Sequence, residues 1–450
     1  MPSFKDTIKQ LIVLKQSSIP TKYHSREVGL PLNSGKIITT VGVRRSGKST
    51  LMEIAINELL SQKVKPQQIV WIGFDDERFS GITDSNLDEI VQAYQELYPK
   101  TPVKKAFFFF DEIQRIKNWE LFVLRLYKSY CKNIFISGSN ADMLSGEMNS
   151  ALRGWPLEYK VFPLSFKEYC QFKNINFETK SERGIAKIKS AFIEFVQGGA
   201  YPEVVLENNS VLKDKLLQGY FNAMIFRDLM ERYNLNNSER IKYILKRLMA
   251  GITKPASINL IYNDLRSQGR KVSKDELYDI VEKACSMFLL YKVTKYDPSF
   301  TRETSSLPKY YCVDTGLRQA VLLATSNDFG KLFENAVFLE MYRRVKENEK
   351  LFYFSNRHEC DFVLQQGLKV TELVQACWDM ADPETERREI AGLKEASRAT
   401  GCNNMTILTK DIEKIIRCPQ GIIDVIPAWK WFSQRCVNCT FPHFYDAVLN

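Results

Sequence analysis

A short run near the N-terminus has the residue types and spacing that bind phosphate. From Gly42 to Ser49 the chain follows the pattern G-x-x-x-x-G-K-S. The β-branched run before Gly42 predicts a buried strand, and the apolar spacing after Ser49 predicts a helix. The glycines let backbone N–H groups turn toward phosphate oxygens, and the helix dipole adds to the attraction. The predicted nucleoside triphosphate site consists of Gly42, Val43, Arg44, Arg45, Ser46, Gly47, Lys48, Ser49 and Thr50.

A second run ends in two adjacent carboxylates. Residues 107–110 are all Phe, which predicts a buried strand, and Asp111 and Glu112 follow directly. We expect Lys48 to contact the β- and γ-phosphates of ATP, Ser49 and Asp111 to hold Mg²⁺, and Glu112 to orient the attacking water. The alternative is a core strand followed by a solvated acidic turn. The P-loop upstream favours the first interpretation, and the added Glu favours hydrolysis over binding alone.

Polar residues follow the next predicted strand. Ser137, Ser139 and Asn140 lie where a side chain can contact the γ-phosphate or the lytic water, and we assign Ser139 a catalytic role. A simple Gly-Ser-Asn turn is the alternative. Arg153, in the loop beyond, has the planar charge that suits a transferring phosphoryl group. Its spacing alone fits an arginine finger and a surface arginine equally well.

Composition limits the class of protein. The chain of 450 residues is long enough for about three domains. No stretch approaches the about 20 apolar residues of a membrane helix, and the N-terminus lacks signal-peptide order, so we expect a cytoplasmic protein. The ten scattered cysteines indicate reduced thiols. A zinc site formed by Cys436, Cys439, His443 and Cys418 is the weaker alternative to a C-terminal tail. The net charge of +10 is compatible with nucleic acid but does not establish it.

Four sequence blocks together resemble one group of ATPases. They comprise residues 42–50, 110–120, 136–140 and 151–169. They are similar to the AAA-type ATPases of archaea and many bacteria, in which the ATPase is fused to a winged helix and a nuclease-like C-terminal domain. The blocks Asp-Glu-Ile-Gln-Arg-Ile and Phe-Pro-Leu-Ser-Phe are more specific than the P-loop. The resemblance implies a homo-oligomer and strengthens the assignment of Arg153 as an arginine finger.

The alternation of strands and helices predicts an α/β fold. A parallel sheet covered on both faces should bind its ligand at the carboxyl ends of the strands. With the resemblance, this predicts an AAA-type P-loop sheet with a helical lid, a winged helix and an α/β nuclease-like domain. The predicted boundaries are 1–35 for a lead-in, 36–180 for the ATPase core, 181–250 for the lid, 251–327 for the winged helix, 328–435 for the nuclease-like domain and 436–450 for a tail.

The region 251–327 has the order of elements expected of a winged helix. Two predicted helices within 256–286 flank a short turn, and a hairpin follows within 288–313. Basic side chains cluster around the turn, where they suit contacts to backbone phosphates with little sequence preference. These DNA-binding candidates are Arg266, Arg270, Lys271 and Lys274. The alternative is a winged helix used for protein contacts or packing.

The last domain resembles the PD-(D/E)XK nucleases with one serious departure. By this resemblance, Glu334 on a helix and Asp361 and Gln375 on strands correspond to the metal-binding residues. Cys377 stands at the lysine position, where it supplies no positive charge. About 26 Å of extended chain separates it from Lys369, which is too far for a side chain to reach. We therefore predict a nuclease fold that does not cleave efficiently.

Three functions fit these patterns. The leading hypothesis is an Mg-dependent ATPase that couples ATP turnover to action on DNA. The second is a regulatory switch in which ATP binding controls assembly with a protein partner. The third is an ATP-gated DNA endonuclease. Salt-dependent DNA binding favours the first over the second, and cleavage lost on changing Asp361 favours the third.

Overall fold

The computed structural model describes residues 3–79, 81–139, 152, 154–177, 181–270, 272–322 and 329–434. Asn140, Arg153, Lys271 and the C-terminal tail with its cysteines lie outside these ranges. The chain forms two compact units, Met1–Phe162 with Ser286–Phe288, and Pro163–Cys285 with Leu289–Asn450. Within the described ranges, none of the helices combines the length and apolar character needed to cross a membrane.

The first unit contains a five-stranded sheet in the order β2-β3-β4-β1-β5. All its strand pairs are parallel. Its strands are β1 (Ile37–Val41), β2 (Ile69–Gly73), β3 (Phe107–Asp111), β4 (Ile134–Gly138) and β5 (Pro156–Lys160). Its longer helices are α1 (Phe4–Ser18), α2 (Lys48–Ser61), α3 (Asp88–Leu97) and α4 (Trp119–Ser129). The predicted α/β fold with a parallel sheet is confirmed, and the edge strand β5 is an addition to the prediction.

Apolar residues cover both faces of this sheet, as a parallel arrangement requires. Phe108 and Phe110 point into a core shared with α1, α3 and α4. Phe107 and Phe109 point into a second core shared with α2. Because successive side chains of a strand alternate between faces, the four consecutive Phe residues serve both cores. This fully buried strand ends at Asp111, so the two carboxylates emerge at one edge of the sheet.

The second unit begins with helices. They are α5 (Phe166–Phe172), α6 (Glu182–Gly198), α7 (Pro202–Leu206), α8 (Ser210–Ala223), a π-helical turn (Met224–Glu231) and α9 (Ser238–Ala250). The next elements are α10 (Ile258–Ser267), α11 (Lys274–Ser286), β6 (Leu290–Val293), α12 (Phe300–Ser305), β7 (Lys309–Cys312) and α13 (Thr315–Leu322). β6 and β7 pair antiparallel. Two helices followed by a strand pair match the expected order of elements, and the winged-helix assignment itself stays a prediction.

The second unit ends in a mixed six-stranded sheet in the order β12-β13-β11-β10-β9-β8. Its strands are β8 (Glu349–Ser355), β9 (Glu359–Gln366), β10 (Lys369–Ala376), β11 (Asn404–Thr409), β12 (Lys414–Cys418) and β13 (Gly421–Pro427). The accompanying helices are α14 (Phe329–Arg344), α15 (Pro383–Thr400) and α16 (Ala428–Ser433). Sequence patterns predicted all of these strands except β12. The predicted domain boundaries within 163–450 stay predictions.

Candidate nucleotide-binding site

The loop from β1 to α2 has a backbone that glycine permits. Gly42 has φ of 156°, and Gly47, which precedes the first residue of α2, has φ of 98°. A Cβ atom on Gly42 would lie 2.1 Å from the carbonyl oxygen of Val161, which leaves no room for a side chain. Backbone conformation therefore favours glycine at both positions, and at Gly42 the close approach of the chain that follows β5 also requires it.

Lys48 lies over this loop. Its side chain is buried, and Nζ donates hydrogen bonds of 3.0 Å to each of the carbonyl oxygens of Gly42 and Val43. The ammonium is thus held in the concavity that the loop encloses, beside the N-terminus of α2. A phosphate group in that concavity would have the lysine charge and the helix dipole acting on the same oxygens.

Arg26 supports the loop from outside the motif. Its guanidinium donates from Nη1 to the carbonyl oxygen of Ser46 and from Nη2 to that of Phe162, both at 2.9 Å. These two contacts link the P-loop to the segment after β5. Sequence reasoning missed Arg26 because it lies in the predicted lead-in, where no local pattern connects it to the motif.

Ser49 and Asp111, the predicted Mg²⁺ ligands, lie next to each other. The Ser49 hydroxyl and the Ser137 hydroxyl both donate hydrogen bonds to the Asp111 carboxylate. Burial raises the pKa of Asp111, and the hydrogen bonds from Ser137 and Ser49 oppose that shift. A hydroxyl and a carboxylate are hard oxygen donors of the kind that Mg²⁺ prefers, so these residues fit the metal that the fold family implies.

Glu112 is held by its neighbours in a left-handed conformation. Its φ is 53°, and its N–H donates to Ser137 Oγ at 3.2 Å. Its Oε2 accepts a 2.5 Å hydrogen bond from Gln114 Nε2 and lies 3.5 Å from Ser139 Oγ. The structure therefore brings Glu112 and Ser139 together, and their catalytic roles stay predictions. A positive φ at a residue other than glycine is often found at functional positions.

Comparison with known proteins agrees with this geometry. Residues 34–170 match the family described as an AAA domain, and residues 189–328 match a domain of unknown function. The chain is 32% identical over 419 residues to the uncharacterized protein MJ1544 of Methanocaldococcus jannaschii, with 91% of each chain covered. The chain belongs to the same family as MJ1544, and its residues 34–170 match the AAA domain. The predicted resemblance to AAA-type ATPases is thus confirmed for the P-loop domain.

Two further likenesses are more distant. An uncharacterized Haemophilus influenzae protein is 29% identical over 356 residues, which are 79% of this chain and 85% of that protein. The Walker-type ATPase PABY2304 of Pyrococcus abyssi is 14% identical, with a TM-score of 0.41 over 70% of this chain and 94% of that one. The structural similarity to PABY2304 is too low to bear on function.

The second unit of this AAA-domain protein exposes a basic surface with two tyrosines. The Cζ atom of Arg266 lies 5.7 Å, and the Nζ atom of Lys274 5.4 Å, from the ring centroid of Tyr262. The Cζ atom of Arg270 lies 5.0 Å from the ring centroid of Tyr243. The Tyr243 hydroxyl also accepts a 2.9 Å hydrogen bond from Gln268 Nε2. We call Arg266, Arg270, Lys274, Tyr243 and Tyr262 the basic–tyrosine surface. The tyrosines were missed because Tyr243 lies on α9, outside the predicted winged helix, and Tyr262 carries no charge.

The three residues predicted by nuclease resemblance also come together. Glu334 and Asp361 both lie within 3.6 Å of Lys309 Nζ. Gln375 contacts the backbone of Asp361, because its Oε1 accepts from the N–H of Asp361 at 3.1 Å, and its Nε2 donates to Glu389 at 2.5 Å. The sequence excluded Lys369 as a source of positive charge because it lies too far along the strand, and the structure places Lys309 beside the two carboxylates instead. The cation comes from β7, about fifty residues before Asp361 in the chain.

Proposed function

We propose that this AAA-domain protein hydrolyses ATP with Mg²⁺ and couples turnover to action on DNA. The observation that carries the proposal is the meeting of Lys48, Ser49, Asp111 and Glu112 at the carboxyl ends of β1 and β3. In parallel α/β sheets, ligands bind at this edge. ATP and Mg²⁺ are the cofactors that these side chains suit.

Each side chain has a distinct part in the proposed reaction. Lys48 exchanges its carbonyl contacts for phosphate oxygens, where its charge stabilises the developing negative charge. Ser49 and Asp111 hold the metal, which when bound neutralises charge on the phosphates. Glu112 orients the attacking water, and the contacts with Gln114 and Ser139 support that role because they restrict its carboxylate.

The basic–tyrosine surface supports the DNA half of the proposal. Arg266 and Arg270 are exposed, and the cation–π contacts hold each guanidinium group near a tyrosine ring. Such groups bind backbone phosphates with little sequence preference. A regulatory switch with a protein partner is the alternative if this surface binds no nucleic acid.

The test measures ATP hydrolysis by the full chain with Mg²⁺ or EDTA, with and without DNA, across a salt series. We expect Mg²⁺-dependent turnover that DNA changes at low salt. Lys48→Ala should lose nucleotide affinity, whereas Glu112→Gln should bind ATP and fail to turn it over. Parental turnover by Glu112→Gln would exclude the assigned carboxylate. Turnover that DNA leaves unchanged, with no salt-sensitive DNA binding, would favour the switch.

A further inference from the structure

A wholly buried lysine lies among three carboxylates in the second unit. The Lys309 side chain has no exposed surface. Its Nζ donates to Glu359 Oε1 at 2.5 Å and to Glu334 Oε1 at 3.3 Å, and it lies 3.6 Å from Asp361 Oδ1. We call Lys309, Glu334, Glu359 and Asp361 the lysine–carboxylate cluster.

The other contacts of the carboxylates fix their orientation around the ammonium. Glu334 Oε1 also accepts from the Tyr311 hydroxyl at 2.9 Å, and Asp361 Oδ2 accepts from the N–H of Ala376 at 2.9 Å. The Tyr353 ring lies 5.3 Å from Lys309 Nζ. An aromatic ring and hydrogen bonds from β7 and β10 therefore surround the ammonium, and the Glu359 side chain remains partly exposed.

The strand that carries Lys309 is tied to the same helix as Glu334. The side-chain amide of Asn335 accepts from the N–H of Cys312 at 2.7 Å and donates to its carbonyl oxygen at 2.9 Å. Both ends of β7 are thus anchored on α14, one by the ammonium and one by this amide pair.

The divalent metal implied by nuclease resemblance does not fit this arrangement. Such an ion needs several oxygen ligands at once, and here the ammonium contacts the oxygens that Glu334 and Asp361 would offer. The carbonyl of Gln375, predicted as the third ligand, is engaged by the N–H of Asp361. Within the described ranges, no group of three or more His, Cys, Asp or Glu side chains is arranged to hold a metal ion.

We propose that Lys309 is the built-in cation of this cluster. Its ammonium takes the position of the metal, so the fold keeps the acidic residues of a cation site without binding a divalent ion. The cluster then connects β7, α14 and β9 instead of activating water. Removing the ammonium leaves three facing carboxylates without a cation, and this should create a divalent-metal site that the parent chain lacks.

The test counts Mn²⁺ bound per nucleotide-free full chain, from the loss of the free Mn²⁺ signal in electron paramagnetic resonance. We expect Lys309→Met to bind one Mn²⁺ more than the parent, and the added Asp361→Asn change to abolish that gain. Lys292→Met is the matched control, because Lys292 is exposed on the neighbouring strand β6. It should bind the parental number of ions. A folded Lys309→Met that gains no Mn²⁺ would overturn the proposal.

A second comparison leaves Lys309 in place, because loss of a buried cation can prevent folding. The parent and Asp361→Asn should bind the same number of Mn²⁺ ions. One ion fewer in Asp361→Asn would mean that the parent already holds a metal in the cluster, and the proposal would be wrong. A Lys309→Met protein that is soluble only when Mn²⁺ is supplied would support it.

Discussion

The N–H of Glu112 donates a 3.2 Å hydrogen bond to the hydroxyl of Ser137, and the same hydroxyl donates to Asp111. The pairing of β3 with β4 ends at Phe110 and Ile136, one residue before these side chains. A single hydroxyl on β4 thus continues the link between the strands and contacts both Asp111, the last residue of β3, and Glu112, which follows it. The geometry of the metal and water positions should depend on it.

Replacing Ser137 should therefore weaken catalysis although the residue need not contact ATP. Ser137→Ala removes a hydrogen bond to a carboxylate and leaves the N–H of Glu112 unpaired, which corresponds to a fall in kcat of about 10–100-fold. Steady-state ATP hydrolysis over a Mg²⁺ titration measures this effect. Ser17→Ala is the control, since Ser17 is an exposed serine with a local contact to the carbonyl oxygen of Leu14. Equal kcat for both variants would exclude the role of Ser137.

A methyl group at Gly42 should abolish nucleotide binding. Gly42→Ala places Cβ against the carbonyl oxygen of Val161 at a strained φ, so the loop must shift away from its phosphate-binding conformation. Fluorescence titration with a labelled ATP analogue should show at least about a 100-fold loss of affinity. Gly29→Ala is the control because no atom lies within 4 Å of its added Cβ. Parental affinity in Gly42→Ala would contradict the loop geometry.

The basic–tyrosine surface should contribute to the salt dependence of DNA binding. Replacing Arg266 and Arg270 together with Gln should weaken binding to unrelated DNA sequences alike. The slope of log affinity against log salt should fall by about two, because each lost phosphate contact removes about one unit. Anisotropy with labelled DNA measures both quantities. Lys414→Gln is the control, because Lys414 is an exposed lysine on β12 that pairs with Glu386, and it should leave the affinity and the slope unchanged. An unaltered slope in the double variant would argue against this surface.

Arg153 is expected to act on the γ-phosphate from a neighbouring subunit. Arg153→Ala alone should lower kcat by about 10³–10⁵-fold, the range for arginine fingers in other phosphoryl-transfer systems. A mixture with Lys48→Ala protein should recover part of the activity, since an intact arginine from one chain then meets an intact P-loop from the other. If Arg153→Ala alone is nearly as active as the parent and the mixture recovers no activity, then Arg153 does not act between subunits.

Asp314 should make the stability of the second unit depend on pH. It accepts hydrogen bonds from the N–H groups of Ala200 and Leu317 at 2.6 and 2.7 Å. Burial raises the pKa of Asp314 from 3.8 to about 6. Between these values the folded chain binds a proton that the unfolded chain releases. The contribution of Asp314 to the free energy of unfolding is therefore complete below about pH 4 and is lost as the pH rises through about 6. The free energy of unfolding falls by up to about 3 kcal/mol over this range.

Comparison with Asp314→Asn isolates this contribution, because the amide does not titrate. Urea unfolding at pH 4.5 to 7 should show the free energy of the parent falling relative to that of Asp314→Asn as the pH increases. Asp275→Asn, at an exposed position on α11, should show no such divergence. A difference between parent and Asp314→Asn that stays constant with pH would contradict the raised pKa.

The candidate nucleotide site of this protein was determined largely by local sequence. The phosphate loop needs glycines, a lysine and a helix start within a few residues, and the acidic pair needs a buried strand directly before it. Neighbouring residues supply these requirements, so the patterns predicted the positions of Lys48, Asp111 and Glu112. The edge strands β5 and β12 were missed because exposed residues interrupt their apolar pattern.

Only the tertiary structure decided which distant side chains complete the sites. Arg26 reaches the P-loop from the lead-in, Ser137 links both acidic residues, and Lys309 enters a cluster formed by α14 and β9. Each pairing depends on how separate elements pack and on the direction in which a side chain leaves its strand or helix. Residue type and spacing along the chain do not contain that information. A lysine far away in sequence can therefore place its charge among these carboxylates.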